Sequence, residues 1–155
     1  MDEAEPLYRR VMEASERTLG PKHPDTMKSL SNMAELLKAR GRLEEAEPLH
    51  RRALGTRERT LGLEHPDTLS SANDLALLLM ARGQLEEAEP LFRRVLEARE
   101  RTLGPEHRKT LSSTNSLAEV LELRGRSEEA APLYQRAMRA GLRPLEPELL
   151  LTARG

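Results

Sequence analysis

The stretch LEEAEPLHRRALGTRERTLGLEHPDTLSSANDLALLLMARGQ, residues 43–84, is followed directly by LEEAEPLFRRVLEARERTLGPEHRKTLSSTNSLAEVLELRGR, residues 85–126. Set one under the other without a gap, 28 of the 42 positions are identical. Gly62, His65 and Thr68 return as Gly104, His107 and Thr110, and Glu45 to Leu49 return as Glu87 to Leu91. Self-similarity at a period of this length marks an array of supersecondary units, each of which buries its apolar face only against its neighbours. Outward from this stretch, residues 2–19 match 44–61, with Ala4, Leu7, Tyr8 and Val11 in the places of Ala46, Leu49, His50 and Ala53. The chain is therefore expected to begin inside a repeat, and fewer than four periods fit into its 155 residues.

Within a copy the apolar period is helical. Met27, Leu30, Met33, Ala34 and Leu37 fall on one face of a predicted helix over 24–40, and Gly41 supplies the left-handed residue that ends it. The next helix is expected to start at Leu43 or Glu44, with Glu44, Glu45 and Glu47 at the positive end of its dipole and Ala46, Leu49, Ala53 and Leu61 buried. Pro48 lies near its first turn, where few amides have an intrahelical partner, so it costs less than the roughly 3 kcal/mol of a mid-helix proline. Between helices, Gly20-Pro-Lys-His-Pro24 stops one helix, and Asp25 and Thr26 favour the start of another. The same reading predicts helices over 66–82, 85–103, 109–124 and 128–140, after a leading helix that ends near residue 19. The third connection, His107-Arg-Lys-Thr110, lacks the proline and is expected to fray.

Composition narrows the function. Charged residues make up 33% and hydrophobic ones 37%, with a mean hydropathy of −0.64, so apolar side chains are modest in number but placed periodically, as in a folded chain. A net charge of −1 without a block of Lys or Arg argues against a nucleic-acid partner. The absence of cysteine excludes a disulfide frame and a thiolate metal site. The longest apolar run, Leu75 to Ala81, is far too short to span a bilayer, and no basic-then-apolar signal pattern opens the chain. A cytoplasmic protein with no membrane partner is the expectation.

The chemistry-bearing residues read as scaffold. There is no glycine-rich phosphate loop, no Ser-His-Asp or Cys-His arrangement and no metal-ligand spacing, so neither an enzyme nor a cofactor or metal site is expected. His23, His65 and His107 recur in separate connections without converging carboxylates and are assigned to turn chemistry. His50 takes the slot held elsewhere by Tyr8, Phe92 and Tyr134, which points to a packed core imidazole and away from a ligand or general base. The neighbours in Glu44-Glu45, Glu86-Glu87 and Glu128-Glu129 point about 100° apart on a helix, unlike paired catalytic carboxylates. Arg51-Arg52 and Arg93-Arg94 read as a solvated convex face, with an acidic-partner site as the alternative.

Asn73, Leu75, Ala76, Leu79, Gly83, Glu87, Ala88, Pro90, Leu91, Phe92 and Val95 together resemble the tetratricopeptide repeat, and the likeness covers residues 2–140. The 42-residue form, with Leu61 to Thr68 between layers, is similar to the repeats of kinesin light chains and of many bacterial signalling proteins. The resemblance implies an all-α fold, a right-handed superhelical solenoid of antiparallel helix pairs. Its parts would be a half repeat at 1–20, repeats at 24–62, 66–104 and 108–140, and a C-terminal capping tail at 141–155 with a short helix over 147–153. Ala34, Ala46, Ala76, Ala88, Ala118 and Ala130 would mark close helix contacts.

The resemblance also implies a protein-interaction scaffold or adaptor that binds a peptide segment of a partner protein in a concave groove. Carried over by position, that groove is lined by Lys28, Ser31, Asn32 and Glu35, then Ser70, Asn73, Asp74 and Leu77, then Ser112, Asn115, Ser116 and Glu119. Where kinesin light chains commonly carry Asn-Asn, this chain reads Ser31-Asn32, Asn73-Asp74 and Asn115-Ser116. Lys28, Lys38 and Arg42 lie toward the first layer and Asp74, Glu119 and Glu122 toward the later ones, favouring a peptide acidic at one end and basic at the other. The alternative is a structural self-association module of a larger signalling protein with no dedicated peptide ligand. It would form a homo-oligomer through exposed terminal helices, around Leu7 and Val11.

Overall fold

A computed structural model describes residues 3–140. Those residues form seven α-helices: α1 (Ala4–Leu19), α2 (Pro24–Ala39), α3 (Leu43–Leu61), α4 (Pro66–Ala81), α5 (Leu85–Leu103), α6 (Arg108–Leu123) and α7 (Ser127–Ala140). The fold is an all-α helical repeat solenoid, and the helices stand where the apolar period puts them, to within a residue. The expected capping helix over 147–153 lies outside the described residues.

The chain divides into two compact units between Gly83 and Gln84, inside the expected repeat 66–104. In the first unit α2 packs on both α1 and α3, and α3 packs on α4. Its core joins Met12 of α1 to Met27, Leu30, Met33, Ala34 and Leu37 of α2, Ala46 and Ala53 of α3, and Leu78 of α4. In the second unit α6 packs on α5 and α7, and Phe92, Val95, Leu111, Leu117, Ala118, Leu121, Ala130 and Ala137 are buried. All six of the alanines marked above are buried to 1% exposure or less, where a methyl is the largest group that lets two helices approach closely.

Local chemistry fixes the helix ends. His23, His65 and His107 precede α2, α4 and α6 in extended conformation, and each Nδ1 accepts the backbone N–H two residues on, from Asp25, Asp67 and Lys109, at 3.0–3.1 Å. The recurrent histidines are thus N-caps, satisfying one of the donors that a helix start leaves open. At the other end of these helices the chain turns through Gly41, Gly83 and Gly125 at φ 77–78°, a conformation open to glycine without strain. Thr68 and Thr110 then tie each connection back, their hydroxyls donating to the carbonyls of Arg57 and Arg99 at 3.3 and 3.2 Å. Those arginines reciprocate, donating to Ser71 Oγ at 2.6 Å and Ser113 Oγ at 2.8 Å.

Leu61 departs from expectation. It is 39% exposed, and Leu19 and Leu103 at the equivalent positions are exposed too. Eight residues after Ala53 at about 100° each, it points roughly 80° away from the buried stripe.

Candidate functional site

The buried side of α2 leaves Lys28, Ser31, Asn32 and Glu35 on its other side, at the i, i+3, i+4, i+7 spacing of one helical face. Ser70, Asn73, Asp74 and Leu77 of α4 and Ser112, Asn115, Ser116 and Glu119 of α6 follow the same rule. None of the twelve is buried. Lys28, Asn32, Glu35, Ser112 and Glu119 are exposed and the rest half-buried, while buried neighbours such as Met33, Leu75 and Leu117 interrupt them in sequence.

In the first unit two of these positions converge on a third residue. Glu35 of α2, His50 of α3 and Asp74 of α4 each bring one side-chain donor atom to within 4.8 Å of the other two. His50 is 1% exposed, and its Nε2 lies 3.4 Å from a Glu35 carboxylate oxygen without making a hydrogen bond. Burial pushes the imidazole below its ordinary 6.5, opposed by the charge of Glu35 and aided by that of Lys38. At neutral pH the ring is therefore uncharged. The sequence reading placed His50 in the core, which is correct, but missed that it faces two carboxylates. The available signal was its departure from the aromatic residues at 8, 92 and 134, combined with acids at 35 and 74.

In the second unit Tyr134 takes the same repeat position. Burial, then the charges of Glu122 and Glu119, push its phenol above the ordinary 10.

Several charged side chains are committed to ion clusters within the repeats. Glu5 accepts from Arg9, Arg40 and Arg42; Glu47 from Arg51 and Arg82; Glu89 from Arg93, Arg124 and Arg126. These acids are 42 residues apart, so one ion cluster recurs with the repeat. Arg42 also donates to Glu45, which removes it from the charge layout expected to receive an acidic peptide end. The Arg42 hydrogen bond is the main influence holding the Glu5 carboxyl below its usual range, whereas at Glu47 and Glu89 burial works the other way and the guanidinium contacts outweigh it. Arg51 and Arg52 are likewise not simply solvated: Arg51 pairs within α3, and Arg52 reaches Glu16 of α1 at 2.6 Å. A depression of about 450 Å³ in the second unit is walled by Arg93, Leu96, Glu100, Glu129 and Arg136, and none of the twelve expected site residues lines it.

A family model described as a tetratricopeptide repeat matches residues 1–59, 26–79 and 67–141. Among solved structures, the nearly identical TPR-like repeats of a Podosopora anserina protein assigned as a kinesin light chain are 31% identical, with a TM-score of 0.82 over 89% of this chain and 65% of that one. A point variant of the same repeats is 32% identical, with a TM-score of 0.83 over 92% of this chain and 68% of that one. BtubC (BKLC) from P. vanneervenii, 21% identical with a TM-score of 0.82, shares the fold over 90% of this chain and 56% of its own. The chain thus spans between about half and two thirds of the length of these relatives. No curated protein matches the sequence. No helix among the described residues is long and apolar enough to cross a membrane.

Proposed function

The chain belongs to the tetratricopeptide repeat family, with repeats of the kinesin-light-chain-like type, and on that premise we propose that it is a non-enzymatic adaptor whose α2, α4 and α6 faces receive a peptide segment of a partner protein. Tetratricopeptide repeats generally mediate protein–protein interaction. The observation that carries it is the exposure pattern. Twelve positions at one spacing on three equivalent helices stay accessible while the residues between them are buried. Asn32, Asn73 and Asn115 each present an amide that both donates and accepts, which matches the two needs of a peptide bond. Leu77 and Met80, half-buried on α4, offer apolar anchorage.

With Arg42 committed to Glu5 and Glu45, the cationic end of the surface is Lys28 with Lys38, and exposed charge pairs there contribute less than about 1 kcal/mol each, shaping selectivity more than affinity. A peptide library selected against the wild type and against the Asn32→Ala, Asn73→Ala, Asn115→Ala triple variant tests the assignment. The expected result is that the triple variant loses most of the selected peptides. Equal affinity for the same peptides in both would remove these faces from the binding site.

The self-association reading keeps one observation of its own: Leu7, Tyr8 and Val11 on α1 are 55%, 42% and 56% exposed, an apolar stripe available to a second copy. Light scattering separates the two readings, since a mass that stays monomeric at high concentration rules out the second.

A further inference from the structure

We propose that Glu35, His50 and Asp74 form a binding site in the first unit for a first-row divalent cation of the zinc class. Three observations support it. The donors come from three different helices, α2, α3 and α4, so their convergence is a product of packing and not of a local acidic run. The imidazole Nε2 is buried and faces the cluster, but its contact there with Glu35, at 3.4 Å, does not reach hydrogen-bond geometry, and a buried polar atom left so poorly satisfied is costly to keep. Its 3.4 Å separation from Glu35 Oε1 is the distance between two ligands of one tetrahedral ion, since donors at 2.0–2.2 Å stand about 3.4 Å apart across the tetrahedral angle.

The third donor needs little movement. With all three atoms within 4.8 Å, Asp74 has at most about 1.4 Å to close, within reach of a carboxylate rotation on a half-buried side chain. A carboxylate has about four acceptor sites, so any other contact of Asp74 leaves capacity for a cation. One imidazole and two carboxylates make a mixed nitrogen and oxygen set of the kind zinc accepts. Two carboxylates face the imidazole, against the positive charge of Lys38 that also acts on it. Three protein donors leave a coordination position for water or for a donor from a bound segment.

The repeat supplies its own control. In the second unit Tyr134, with Glu119 and Glu122 nearby, stands where His50 stands in the first, and a phenol held protonated offers no comparable ligand. One ion per chain is therefore expected.

The site shares Glu35 and Asp74 with the proposed peptide-binding faces, but it is tested without a peptide. Metal-free chain is titrated with Co2+, followed by its visible absorption, and with Zn2+, followed by calorimetry. The expected result is one ion bound per chain with an intense tetrahedral Co2+ spectrum. His50→Phe, which introduces the residue that Phe92 carries at the equivalent place, abolishes that spectrum while circular dichroism shows the helices intact. Glu35→Gln, at an exposed position that folding does not depend on, weakens Zn2+ binding by at least about tenfold, whereas Glu119→Gln leaves it unchanged. Absence of stoichiometric binding overturns the proposal, and so does equal binding by the wild type and either first-unit variant, which would assign the ion to dispersed surface carboxylates. Metal binding without peptide selection, or the reverse, shows which of the two readings has failed.

Discussion

His50 in the first unit and Tyr134 in the second occupy one repeat position, and burial moves them in opposite directions on the pH scale: the imidazole below 6.5, the phenol above 10. The physical cause is common to both. Removing water disfavours whichever form is charged, the protonated one for histidine and the deprotonated one for tyrosine. Their surroundings then differ, since Glu35 and Lys38 act on His50 with opposite signs, while Glu122 and Glu119 act on Tyr134 together with burial. An array repeated almost verbatim therefore contains two chemically distinct stations, set by a few substitutions against a constant scaffold.

The largest expected effects test that constancy. Ala34 and Ala118 are equivalent and fully buried, so Ala34→Leu and Ala118→Leu should each overpack a helix contact and cost about 1–3 kcal/mol, read as matched losses in urea midpoint. A loss in only one variant would show that the units do not pack alike. Next come the ion clusters. Glu89 accepts from three arginines and Glu47 from two, so Glu89→Ala should cost about 1–2 kcal/mol and Glu47→Ala less, the half-exposed guanidinium groups regaining water in either case. Equal losses measured by thermal denaturation would mean that the third arginine adds nothing.

The smallest effects are the titrations. For His50 the folded value lies below 6.5, so the unfolded chain binds the proton first; its contribution is fully present above pH 6.5 and declines as pH falls toward the folded value. His50→Phe should flatten the stability profile in that window relative to the wild type. For Tyr134 the folded value lies above 10, so its contribution is intact below pH 10 and is lost as pH rises through the folded value; Tyr134→Phe removes that alkaline loss. Superimposable wild-type and variant profiles would place both rings in contact with solvent.

Helix ends were legible because their causes are local: the His-Pro-Asp-Thr connection carries its own cap in His65, and Gly83 its own turn. The buried stripes of α2, α4 and α6 were legible for the same reason, a 3.6-residue period acting within one helix. Leu61 was misjudged where that period had drifted away from the stripe. Arg42 and Arg52 were misread because, unlike Arg9, Arg51 and Arg93, which find acids four residues away on the same helix, they reach Glu5 and Glu16 from distant parts of the chain. Arg40, Arg82 and Arg124 reach theirs across 35 residues of chain.

By itself, then, the sequence determined the repeat, the seven helices of the described residues and the faces they bury, because each depends on residues within a turn or two of one another. Only the tertiary structure decided that Arg42 is engaged by Glu5 and that His50 meets Glu35 and Asp74. Such meetings depend on the separation and rotation of packed helices. Those are set by the summed volumes of side chains such as Met33, Ala34 and Ala46 in the core, and no spacing along the chain encodes them.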